Sequence, residues 1–253
     1  MNNVELRAKT KAEETRRILG YGDEPIHDIF ATIESEGILL IKAPAGRDGL
    51  SAFFVRKREE FIIFINTSKS LGHQYFSAAH ELYHYMFDKD VAGGICNTAL
   101  FDESQLEREK LADYFAVHFL MPETSIRRHV YKIKSGSKLE LFDIIKLQHY
   151  FKVSYLSMII RLNNLGLIDR DEFLHLKNKR VTSVSRNMGY KTDLALPTSD
   201  TYISPDYVQL ALDAYQKGKI TYTKFEEYLD VVGLDASKLL SIDGEEVEGD
   251  VDE

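Results

Sequence analysis

Residues 70–88 read SLGHQYFSAAHELYHYMFD. Phe76, Ala79, His80, Tyr83, His84 and Phe87 recur at i, i+3, i+4 and i+7, the spacing of one helical face. The stretch is therefore expected to form one long helix, about Ser70 to Asp88, with those residues on its inward stripe. Within it, His80-Glu81-Leu82-Tyr83-His84 matches H-E-x-x-H. Residues four apart sit one above the other on a helix. Both imidazoles can then reach one ion at the ~2.0–2.1 Å that zinc requires. Glu81 lies about 100° round the helix from His80, where it can act on an attacking water without ligating the metal.

The alternative is a pair of core histidines on an amphipathic helix. Two imidazoles on a buried stripe would each need a polar partner, because burying an unpaired polar group is costly. A shared metal removes both costs. An H-E-x-x-H is expected by chance only about 0.02 times in a chain of this length and composition.

A catalytic zinc takes three protein ligands and keeps one position open. Glu109 is the expected third ligand. Glu109, Ala112, Asp113 and Ala116 form one stripe, and the two alanines allow close approach to a metal helix that itself carries Ala78 and Ala79. Asp113, one turn on, is placed to accept the free N–H of a ligand histidine, which fixes the ring's tautomer. Ser104-Gln105-Leu106-Glu107 reads as a capping box opening this helix at about 105–120, which would occupy Glu107. His118 falls roughly 180° from Glu109 and is read as a helix-surface histidine. His73, two turns before His80, is about 10 Å away by helical rise, too far to ligate.

Upstream, residues 9–20 and 25–36 have helical spacing. Ile38–Ile41, Ala52–Val55 and Phe61–Ile65 are short β-rich runs, read as a small, mostly antiparallel three-stranded sheet. Residues 89–103 read as a loop carrying Gly93-Gly94 and the single cysteine, Cys96. One cysteine excludes a disulfide framework and fits a reducing compartment. Cys96 reads as a free thiol; as a thiolate it could alternatively occupy the open metal position. Downstream, Pro122 suits the first turn of a helix at 123–133. Residues 139–180 read as three short helices, and Phe142–Leu162 as helix-turn-helix-like with Lys152-Val153-Ser154 as the turn. Residues 183–203 show no clear period. A last helical pair follows at 206–217 and 223–231.

The fold class expected is α+β, a small sheet packed with the H-E-x-x-H and third-ligand helices and followed by an all-helical region. The expected organisation is a metallopeptidase domain at 1–133, a helix-turn-helix-like domain at 137–182, an irregular segment with the helical pair at 183–242, and a disordered acidic tail at 243–253.

Charge argues against nucleic acid as the partner. Residues 243–253 hold seven acids and no base, and without them the chain carries 33 acids against 32 bases. Phosphate binding needs an excess of Lys and Arg. Direct DNA binding is therefore not expected, and the helix-turn-helix-like region is read as a protein-docking surface. The N-terminus lacks the apolar core of a signal peptide, and no apolar run approaches the ~18 residues of a membrane span, so a cytoplasmic chain is expected.

His80 to His84, then Glu109-x-x-Ala112-Asp113-x-Phe115-Ala116, then Phe119-Leu120-Met121-Pro122, resemble the signature of the ImmA/IrrE family of metallopeptidases. Glu109-x-x-x-Asp113 is also similar to the third-ligand motif of gluzincins. The resemblance is specific over about 38–122 and continues loosely to about 180; the segment around Gly218-Lys219-Ile220-Thr221 also looks like one that many relatives carry. It departs at His118, where relatives commonly have an acidic or small residue. The resemblance implies an intracellular bacterial or mobile-element zinc peptidase that cleaves a helix-turn-helix repressor or antitoxin, often encoded next door, and so relieves repression. Two rivals stand beside it. One is a non-catalytic module that sequesters such a repressor, against which the intact Glu81 speaks. The other is a DNA-binding regulator with a structural zinc, for which four ligands would be expected.

Overall fold

The computed structural model describes residues 2–57, 60–88, 93–95, 103–134, 136, 138–231 and 233–242. Cys96 and the acidic tail at 243–253 lie outside them. The chain divides into two compact units, one ending at Asp200 and one beginning at Thr201.

The first unit starts with α1 (Asn3–Ile18) and α2 (Ile29–Ser35). Asp28 caps α2, accepting from the amides of Phe30 and Ala31 at 2.9 and 3.1 Å, which satisfies two donors that no helical carbonyl can reach. Strands β1 (Leu39–Ala43), β2 (Ala52–Lys57) and β3 (Glu60–Asn66) follow. Then come α3 (Leu71–Phe87), β4 (Gly93–Ile95) and α4 (Glu103–Leu120). Among the strands of this unit the order is β4-β2-β3-β1. β2 runs antiparallel to both β3 and β4, whereas β1 is parallel to β3, with Leu40 opposite Ile63. The sheet is thus mostly antiparallel, as expected. It has a fourth strand where a loop was expected: Gly93, Gly94 and Ile95 pair with Val55, Phe54 and Phe53. Two glycines in a three-residue strand give no period-2 signal to read.

Alternation along β3 buries Phe61, Ile63 and Ile65 on one face. That face and Phe54 of β2 form the floor on which α3 lies. On the far side of α3 packs α4. Ala78, Ala79, Ala112 and Ala116 are all fully buried, so the small side chains expected to bring these helices together do sit in the core. Phe115 and Phe119 stack at 5.1 Å behind them. Each contributes about 1.5–3 kcal/mol by burial. α1 closes the other flank of α4, where the buried Arg16 guanidinium donates to the carbonyls of Gly22, Glu24 and Phe119.

α4 begins at Glu103, ahead of the expected N-cap at Ser104, whose side chain lies outside the described residues. Glu107, expected in the capping box, accepts from Arg7 of α1 at 2.6 Å. Next come α5 (Glu123–Ile133), α6 (Leu141–Phe151) and α7 (Tyr155–Asn164), with α6 and α7 joined by the expected turn at 152–154. α8 (Arg170–Lys177), α9 (Val181–Asn187) and a 3₁₀ turn at Asp193–Ala195 complete the unit. The helix-turn-helix-like segment therefore shares one compact unit with the metal-motif helices.

Among its described residues the second unit holds three helices, where a pair was expected: α10 (Pro205–Gln216), α11 (Tyr222–Asp230) and α12 (Ala236–Ile242). They close around Ala211, Phe225, Leu229 and Ala236. α12 is only seven residues long and follows Gly233, too short for helical spacing to register in the sequence.

No helix among the described residues is long and apolar enough to cross a membrane.

Candidate metal centre

α3 presents His80, Glu81 and His84 to the interior at 8, 1 and 0% exposure. The sheet supplies one wall: Phe54 stacks on the His84 ring at 5.2 Å. α4 supplies the other, carrying Glu109 and Asp113. His80, His84 and Glu109 form the group of potential ligands found among the described residues. Their facing atoms are close. His80 Nε2 lies 3.2 Å from His84 Nε2 and 3.1 Å from Glu109 Oε2, and His84 Nε2 lies 3.6 Å from Glu109 Oε1. Two tetrahedral zinc ligands at ~2.0–2.1 Å stand about 3.3–3.4 Å apart, so the spacing suits that ion.

The outer nitrogens each face a carboxylate. His80 Nδ1 is 3.0 Å from Asp113 Oδ1, and His84 Nδ1 is 2.7 Å from Asp88 Oδ2. A carboxylate accepts, so each Nδ1 is placed to donate to its acid, the arrangement in which the Nε2 lone pair faces an ion. Two lone pairs and a carboxylate converging on one point repel unless a cation lies between them. The donor set therefore fits zinc on its chemistry as well as its spacing.

Asp113 occupies the position expected for it. Asp88 is a partner that the motif reading missed. It stands four residues after His84 at the C-terminal cap of α3, a spacing that could have revealed it. Arg108 of α4 donates to it at 3.3 Å. Burial pulls the Asp88 carboxyl up, but the His84 hydrogen bond and the Arg108 charge outweigh it and hold it below the usual carboxylate range.

A cleft of about 220 Å³ opens beside the ligands, lined by Glu81, Asp113, His73 and Ser51 among others. His73 is not among the ligand group, as its distance along the helix required. It stands at the rim instead, its Nε2 2.8 Å from Ser51 Oγ at the head of β2. His73 is exposed as a residue, yet packing around the ring, and then the Lys69 ammonium, hold its pKa below the ordinary histidine value. The imidazole is neutral at pH 7 and can donate a hydrogen bond into the cleft.

His118 differs from expectation. It faces away from the metal group but is buried at 4% exposure rather than on the surface. Arg161 of α7 donates to its Nδ1 at 3.1 Å and to the Met121 carbonyl at 3.2 Å. Burial, then the charges of Arg161 and Lys9, push His118 down to about 4. Its role is to lock α7 onto the end of α4.

Comparison with known proteins follows the same lines. No curated protein matches the chain. Among solved structures, a Mycobacterium tuberculosis transcriptional regulator is similar at 19% identity and a TM-score of 0.44, over 62% of this chain and 46% of that one. The chain thus spans less than half the length of that relative. The peptidase family described as Peptidase_M78, IrrE N-terminal-like domain, matches residues 33–163, just over half of the chain and the stretch from α2 through α7 that holds every potential metal ligand named above. The chain belongs to this family.

Proposed function

We propose that the chain is a zinc-dependent endopeptidase that cleaves a helix-turn-helix repressor or antitoxin and thereby relieves repression. The observation that carries the reading is the pair of Nε2 atoms and the Glu109 carboxylate converging beside a cleft that Glu81 also lines. Zinc, when bound, would supply Lewis acidity, polarising a carbonyl and acidifying water. His80, His84 and Glu109 would hold it. Asp113 and Asp88 keep the two Nδ1 protons in place and orient the rings. Glu81 is the general base: it accepts a proton from the attacking water and delivers it to the leaving amine. His73, neutral at the rim, is the donor that steadies the scissile carbonyl as charge develops on its oxygen. A structural zinc would call for a fourth protein ligand, and the group among the described residues has three.

The resemblance to repressor-cleaving relatives supports the substrate class. A cytoplasmic setting accords with it, and so does the near-balanced charge outside the acidic end, which offers no excess for DNA. The test is to incubate the zinc-loaded chain with helix-turn-helix repressors of its own genome, those of neighbouring genes first, and to identify fragments by mass spectrometry. Cleavage at one bond, abolished by chelator, is expected. Repressors that all stay intact under conditions where the chain retains zinc contradict the reading.

A further inference from the structure

A second cavity in the first unit is larger than the metal cleft. It has a volume of about 730 Å³ and lies among α3, α5, α6 and the segment around residues 189–194. α3 lines both spaces, giving Leu71 and Tyr75 to this one. Gly72 makes that arrangement possible: a Cβ there would meet the Ser154 amide nitrogen at 2.7 Å and the Leu194 carbonyl oxygen at 3.0 Å. Any side chain would push α3 off the α6–α7 turn.

The charge of the lining is one-sided. Lys146, Lys152 and Lys191 face a single acid, Asp193. Asp193 accepts from the Leu194 amide at 2.9 Å, and Lys146 lies 3.7 Å from Asp143. Neither Lys152 nor Lys191 has a carboxylate within ion-pair distance among the described residues. Between these cations stand flat rings. His149 stacks on Tyr190 at 4.1 Å and 6°, and His129 packs against Tyr150 at 4.1 Å. His149 Nε2 is buried without a hydrogen-bond partner among the described residues.

Lys152 adds an independent observation. Its backbone is left-handed, with φ 55°, at the C-cap of α6. Glycine or asparagine adopts that conformation readily, and a lysine there is strained. The turn itself does not need the ammonium group; an anion in the cavity would use it.

We propose that this cavity binds a small planar aromatic anion of the mononucleotide class, its phosphate held by Lys152 and Lys191 and its ring laid against the Tyr190–His149 stack. The volume is within the usual range of about 300–1,000 Å³ for small-molecule sites. Lysine is a recurrent phosphate partner, and an aromatic stack accepts a further flat ring. The inference stands apart from the peptidase reading, since binding can be measured without cleavage.

The test is calorimetric titration of the full chain with AMP, 4-nitrophenyl phosphate, adenosine and inorganic phosphate. One aromatic anion is expected to bind once per chain, with adenosine and phosphate alone each weaker by about tenfold or more, because each supplies only half of the contacts. Lys152→Gly should weaken that binding about tenfold while leaving the melting temperature equal or higher, since glycine suits the left-handed backbone. Tyr190→Ala should weaken the aromatic anions and leave phosphate alone unchanged. Absence of binding by both aromatic anions at about 5 mM overturns the proposal. Binding that Lys152→Gly and Tyr190→Ala leave untouched overturns it equally.

Discussion

His84 Nδ1 lies 2.7 Å from Asp88 Oδ2, so the second histidine of H-E-x-x-H is oriented from within its own helix. Asp88 is tied in turn to Arg108 of α4, at 3.3 Å. The carboxylate thus joins the two helices that carry the ligands. Asp88→Ala is expected to lower zinc affinity by about 10–100-fold, the usual loss when a ligand's supporting carboxylate is removed. Chelator competition measures it, and an affinity equal to wild type would show that His84 is held by packing alone.

Glu109 and Asp113 are one helical turn apart but face different nitrogens of His80. Glu109 Oε2 lies 3.1 Å from Nε2 and Asp113 Oδ1 lies 3.0 Å from Nδ1. The Asp113 side chain is 58% exposed and the Asp88 side chain 12%, so water can replace the first more readily than the second. Glu109→Ala should therefore cost more than about 100-fold in zinc affinity, Asp88→Ala less, and Asp113→Ala least. Zinc content of the three variants after dialysis gives the order. Metal lost from Asp113→Ala but retained by Glu109→Ala would reverse the assignment of the two acids.

The central part of the fold was legible because the sequence signal and the local physics coincide. The stripe from Phe76 to Phe87 predicted α3, observed at Leu71–Phe87, and Pro122 marked the start of α5 at Glu123. The runs at 38–41, 52–55 and 61–65 became β1, β2 and β3 within about two residues at each end. Alanines on both helices foretold their close packing. What escaped was set by tertiary contact. β4 exists because β2 had an edge to pair, not because Gly93-Gly94-Ile95 prefers extended backbone. The parallel pairing of β1 with β3 depends on how the chain between them is routed, which periodicity does not encode. His118 looked like a surface residue because a helical wheel of α4 knows nothing of Arg161 packed against its far side. Asp88 at the cap of α3 and His73 within it lie outside the five motif residues, and their roles come from contacts with His84 and Arg108 and with Ser51.

His118 gives the stability of the chain a defined pH dependence. In the fold its pKa is pushed down to about 4, whereas in the unfolded chain it is near 6.5. Between those values the unfolded chain binds more protons, so stability rises with pH there. The contribution is complete above about 6.5 and is lost as pH falls toward 4. His118→Gln keeps an acceptor for Arg161 and removes the titration. Its melting temperature should fall less than that of wild type between pH 6.5 and 4, and parallel curves for the two proteins would contradict the assignment.

His73 is expected to act on the reaction without holding the metal. His73→Ala should lower kcat by about 100-fold, the scale of losing one donor to a developing oxyanion, with zinc content unchanged. Steady-state cleavage and metal analysis on the same preparation separate the two effects. An unchanged kcat would remove His73 from the reaction, and a loss of zinc would place it among the ligands.

Glu81 bears the central claim, because it is 1% exposed and lines the cleft beside the ligand group without belonging to it. Glu81→Gln is nearly isosteric and removes only the proton acceptor. The decisive measurement is zinc content and cleavage of the proposed helix-turn-helix substrate by this variant beside wild type. The account predicts about one zinc per chain in both proteins and a rate at least about 100-fold lower in the variant. Cleavage by Glu81→Gln at the wild-type rate, with zinc bound, would contradict it.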